Sequence, residues 1–174
     1  MSLPYEGALR VSRRVLRALV VVNVVYGLAI VALLAVSFVA EDFLMGALGV
    51  KPAVDREAMV RGMRLVAFVG ILAVPLAHVI LKRLLSIVET VRAGDPFIIE
   101  NARRLQTIAT TLLGMQLLHV VIGVIAARTR STVQELDINW SFSITPWIAV
   151  LLLFVLARVF EHGARMRADL EGTV

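Results

Sequence analysis

Ala18 to Ala40 is a run of 23 residues without a single charge. As a helix it measures roughly 34 Å, enough to cross a hydrocarbon core of about 30 Å. Three more apolar runs follow, 65–81, 107–127 and 142–157, the last extended by Trp140, Ser141 and the stem of Arg158. A buried helix of a soluble domain keeps one polar stripe, whereas these runs are apolar all round and are bounded by charged or interfacial residues. Composition agrees: 59% of the 174 residues are hydrophobic and 18% charged, too few charges to clothe a soluble globule. The expected fold class is therefore all-α, a polytopic membrane protein built as a four-transmembrane-helix bundle, with residues 1–174 as one membrane domain.

The first run is too long for a removable signal peptide, and Phe38, Val39 and Ala40 make a poor cleavage site, so it reads as an uncleaved anchor. Lys and Arg set the orientation. Arg10, Arg13, Arg14 and Arg17 precede the first span, five basic residues lie between spans two and three, and Arg158, Arg165 and Arg167 follow span four. The two opposite loops carry four and two, each matched by as many acids. The positive-inside rule then puts both termini in the cytoplasm, with Trp140 and Trp147 at the outer headgroup level. The net charge of +5 is explained by this flanking pattern, so nucleic acid is not expected as a direct ligand.

Helix signals extend beyond the spans. Asp55 suits an N-cap for a helix from Arg56 to Ala93, with Pro75 as a bend and Gly94 as the left-handed stop. Such a helix would measure roughly 57 Å, so about one third of it must project from the bilayer. Leu81, Leu84, Leu85, Val88 and Val91 make one face of the projection amphipathic, and a turn at Gly94-Asp95-Pro96-Phe97 completes a cytoplasmic hairpin over 82–106. In the tail helix, 158–171, Val159, Gly163, Met166 and Leu170 share a stripe that either packs on the hairpin or docks another protein. Outside, Glu41 to Val50 reads as a short surface helix acting as a plug or lid. The Asn139-Trp140-Ser141 sequon is too short a motif to weigh.

Intramembrane polar residues are functional suspects. Asn23, Tyr26, Gln116 and His119 are the candidates for an intramembrane ligand, although Asn and Ser on such faces more often bond neighbouring helices. His78 and His119 differ in depth by roughly 14 Å along antiparallel spans, which argues against a haem held by both. No cysteine is present, no Asp, Glu, Lys or Arg falls inside a run, and no nucleotide-loop or hydrolase motif occurs. These absences count against a metal site, a cofactor, a proton-driven carrier and an enzyme.

Gly94-Asp95-Pro96-Phe97 with Asn101, Arg104 and Leu105, and the tail Val159-Phe160-Glu161-His162-Gly163 ending in Thr173-Val174, resemble a bacterial family of small four-span membrane proteins, domain of unknown function 2975. The resemblance covers nearly the whole chain. It departs at Ile98 and Ile99, where relatives place a capping Ser or Thr and a Pro. It implies an integral membrane protein often encoded beside a short helix-turn-helix regulator, with no catalytic residues to carry over. Pro96, Phe97, Asn101, Arg104, Phe160, Gly163 and Met166 are accordingly the candidate docking residues for a soluble cytoplasmic partner, plausibly such a regulator. The rival expectation is a small-molecule or lipid binder or transporter with a polar cavity between spans; a homo-oligomer or a subunit role also fits.

Overall fold

The computed structural model describes residues 4–47, 56–128 and 143–171. Within them the chain is all-helical: α1 Pro4–Val39, α2 Glu41–Ala47, α3 Arg56–Arg92, α4 Ile99–Arg128 and α5 Thr145–Glu171. Four of these, all but α2, are long and apolar enough to cross a membrane. The Asp55 cap, Trp140 with its sequon, residues 48–50 of the outer segment, and Thr173-Val174 lie outside the described residues.

Lipid as solvent explains the surface. Val21, Val25, Leu28 and Phe38 on α1 are each about 60% exposed or more, and no residue of its most apolar stretch is buried. In water an apolar face of that extent would collapse or aggregate; against acyl chains it is at no disadvantage. The hydroxyls of α4 obey the same logic. Thr107, Thr110 and Thr111 donate to the backbone carbonyls of Arg103, Gln106 and Thr107 at 2.9, 3.0 and 2.7 Å, so none needs water.

The chain packs as two compact units. One comprises Val24–Pro75 and Leu117–Phe142. Here α1 and α3 approach closely: a Cβ on Gly27 would stand 2.8 Å from Val74 Cγ1, and one on Gly70 3.4 Å from Ile30 Cδ1. Small residues at such crossings let backbones meet, which is how helices gain packing energy in lipid. Arg64 ties the end of α1 to α3. Its guanidinium donates to Ser37 Oγ at 3.1 Å, to the Ser37 carbonyl, and to Glu41 Oε2 at 3.1 Å, and its Cζ lies 4.2 Å from the Phe38 ring centroid. A charge near an apolar span is thereby paired, hydrogen-bonded and stacked, and it also satisfies a carbonyl in the last turn of α1.

The other unit comprises Met1–Asn23, Leu76–Gln116 and Ser143–Val174. Its buried apolar residues, Ala102, Leu105, Ile108, Ala109, Val150 and Ala157, come from α4 and α5. Glu89 on α3 receives Arg13 at 3.2 Å and Arg17 at 3.6 Å, fastening the polar start of α1 to the polar end of α3. Both arginines are partly exposed, so the pairing sets register more than stability.

Candidate functional site

The hairpin between α3 and α4 begins where α3 stops. Gly94 takes φ of +90°, a conformation a Cβ would strain. Asp95 N–H then bonds the Thr90 carbonyl and Gly94 N–H the Val91 carbonyl, both at 3.1 Å, which satisfies two orphan acceptors of the last turn. Pro96 cannot continue a helix, and α4 restarts at Ile99.

Asn101 closes the hairpin from within. It is 0% exposed, and its amide is fully used. The Nδ2 group donates to Thr90 Oγ1 at 2.8 Å and to the Pro96 carbonyl at 2.9 Å, while Oδ1 accepts from Arg104 Nη1 at 2.8 Å. Thr90 Oγ1 can in turn donate to the Ile87 carbonyl, 2.8 Å away on its own helix. A buried amide with these three partners has no unmet polar atom and fixes α4 against α3. Asn101, grouped above with the docking residues, thus contributes to a docking face through the turn that it holds. Arg104 also reaches the Ser86 carbonyl at 3.4 Å and is half-buried, so its head is directed into the hairpin.

The outer side of the turn meets α5. The Phe97 ring lies 5.2 Å from Phe160 with planes inclined at 35°, and its Cδ1 is 3.2 Å from where a Cβ on Gly163 would stand. Glycine at 163 is what lets the ring seat on the helix. Asp95 pairs with Arg167 one helical turn further along. Of the two expectations for the tail stripe, packing on the hairpin holds for Gly163. Its companions stay outward: Val159 is 55% exposed, Met166 52% and Leu170 71%.

Phe97, itself 46% exposed, borders two grooves that also share Val155, Arg158 and Arg167. One, of about 690 Å³, is walled by Phe97, Val159, Gly163 and Met166 and edged by Arg158 and His162. The other, of about 1040 Å³, lies between the start of α4 and α5. Ile98, Ile99, Phe154 and Val155 give it apolar walls; Arg103, Arg158, Glu161 and Arg165 give it charge.

The four intramembrane candidates stand elsewhere. Asn23 on α1 and Gln116 on α4 are half-buried, whereas Tyr26, 58% exposed, and His119 face outward. None of the four lines either groove. Sequence reasoning expected Ser37 to bond a neighbouring helix but missed three contributors: Thr90, the Asp95–Arg167 pair, and Arg64, which joins Ser37 to Glu41. Thr90, one turn before the stop and one turn after Ser86, lies off the apolar stripe of α3, so nothing local marked it. The other two join residues far apart in the chain and leave no local pattern. Compared with family models, curated proteins and solved structures, the chain matches none.

Proposed function

We propose that this chain is a non-enzymatic protein of the bacterial inner membrane, both termini cytoplasmic, whose hairpin and tail dock a soluble partner presenting an amphipathic helix, such as a small helix-turn-helix regulator. The observation that carries the reading is the groove beside Phe97. Val159 and Met166 are more than half exposed on a helix whose apolar run has ended at Arg158, and a fixed turn backs them. Exposed apolar side chains around a concave, mostly apolar site are the usual receptor for the apolar face of a helix. Sequence support comes from the charge asymmetry across the spans and from the family resemblance of the Asp95-Pro96-Phe97 turn. The role is sequestration: a regulator held here is kept from DNA.

Photo-crosslinking in intact membranes tests this. A crosslinker at Met166 gives a discrete adduct with one soluble protein, and the Phe97→Ala change weakens it, whereas a crosslinker at Val21 on α1 gives lipid adducts only. Lipid adducts alone at Met166 would remove the docking role.

A further inference from the structure

The second groove carries chemistry that a protein partner does not require. Its two ends differ. Phe154 and Val155 belong to the apolar run of α5, and beyond Ala157 the same wall becomes Arg158, Glu161 and Arg165. From Phe154 to Ala168 the lining extends about 21 Å along the helix, the reach of a phospholipid headgroup, its glycerol and the first methylenes of its chains.

Two arginines stand on opposite walls at matching depth. Arg103 is four residues into α4 and Arg158 five residues before Gly163, so both lie roughly 6–9 Å from the Phe97–Gly163 contact, toward the apolar runs. That is the level at which the hydrocarbon ends and phosphates begin. Charge there is incompletely balanced. Glu161 alone answers both Arg158, at 3.0 Å, and Arg165, at 2.6 Å. Arg103 is exposed and makes no ion pair among the described residues. Arg167 is occupied by Asp95, and Glu100 is the remaining carboxylate of the lining. Four guanidiniums thus face three carboxylates, which leaves one positive charge in excess; among the described residues Arg103 is the guanidinium without an ion pair, while Arg158 shares Glu161 with Arg165.

We propose that this groove binds an anionic phospholipid: phosphate between Arg103 and Arg158, acyl chains against Phe154 and Val155 with Gln106 beside the phosphate on the chain side, and the polar headgroup toward Arg165. Guanidinium forks suit phosphate oxygens, and basic pockets between spans at the cytoplasmic boundary are recognised seats for acidic headgroups. Arg158 borders the Met166 groove as well, whereas Arg103 and Gln106 line this groove alone, so changes at those two positions test lipid binding apart from protein docking.

The test uses the purified full chain in detergent, with native mass spectrometry counting retained lipid and thermal unfolding as a second readout. Phosphatidylglycerol is retained over phosphatidylcholine and raises the unfolding temperature, and inorganic phosphate neither displaces it nor reproduces the shift. Arg103→Gln lowers apparent affinity about five-fold, the share of one arginine near an acidic surface. Gln106→Glu, a change at an exposed position that leaves folding intact, does so by like-charge repulsion. Arg14→Gln, an exposed arginine remote from the groove, changes nothing. Equal retention of phosphatidylcholine, an equal loss in Arg14→Gln, or saturation by inorganic phosphate alone would each overturn the assignment, the last by pointing to a free anion.

Discussion

At Asn101 one neutral side chain, with no exposed surface, holds two helices and a turn together. Removing it leaves the Pro96 carbonyl and the Thr90 hydroxyl oxygen without that partner in a partly buried hairpin, along with one donor of Arg104. Each such orphan costs about 1–3 kcal/mol, less what small relaxations or water recover. Asn101→Ala is therefore expected to destabilise the protein by about 2–4 kcal/mol, and Thr90→Val by less, because Thr90 also bonds its own helix. Since the two residues share a bond, the double variant loses less than the sum, which a double-mutant cycle by denaturation in detergent would read. Additive losses would mean that the Asn101–Thr90 bond contributes nothing. The sequence placed Asn101 just after the turn but could not supply its role, because Thr90 and Pro96 reach it only once the chain has reversed direction. Arg167 and Asp95 are a stronger case of the same limit, being separated by 72 positions.

At the scale of elements, the spans were legible because lipid imposes a simple rule: a long uncharged run must be a helix. The stop of α3 was legible too, since Gly94 then Pro96 leaves little alternative, and α3 ends at Arg92, one residue before the expected Ala93. How closely two helices approach was not. Gly27 and Gly70 both stand between α1 and α3, yet they differ in what a methyl would meet. At Gly27 it meets Val74, a β-branched side chain with one comfortable rotamer in a helix, at 2.8 Å. At Gly70 it meets the mobile tip of Ile30 at 3.4 Å. Gly27→Ala is accordingly expected to cost about 1–3 kcal/mol by overpacking, and Val74→Ala in the same chain to recover part of it. Gly70→Ala should be neutral or stabilising by up to about 1 kcal/mol, from the better helix propensity of alanine. Equal effects at the two glycines, measured by thermal unfolding in one detergent, would show that Val74 yields to a methyl at position 27 as readily as Ile30 does to one at position 70.

For the molecule as a whole, the proposed orientation rests on charge outside the apolar runs, and the helix lengths make it testable. At 37 residues α3 is about 55 Å long and cannot fit in a bilayer without projecting. The amphipathic stretch leading to Gly94 is the part that sequence and charge assign to the cytoplasm. Arg13 and Arg17 on α1 pair with Glu89 near the end of α3, so those two regions share a compartment whichever way the chain is inserted. The Phe97–Gly163 contact and the Asp95–Arg167 pair add α5 to the same side. Because the natural chain has no cysteine, single thiols report cleanly. Ser12→Cys, Ala93→Cys and Ala168→Cys, all at exposed positions, are expected to react with a membrane-impermeant maleimide only after inverted vesicles are used or the membrane is opened. Ser143→Cys, before α5, should instead react in intact cells with a permeabilised outer barrier. Labelling of 12, 93 and 168 from the outside with 143 protected would leave the fold intact and reverse the orientation, placing both grooves beyond reach of a cytoplasmic regulator. A split among the first three would contradict the packing of the unit that they share, because its ion pairs and aromatic contact would then have to cross the bilayer.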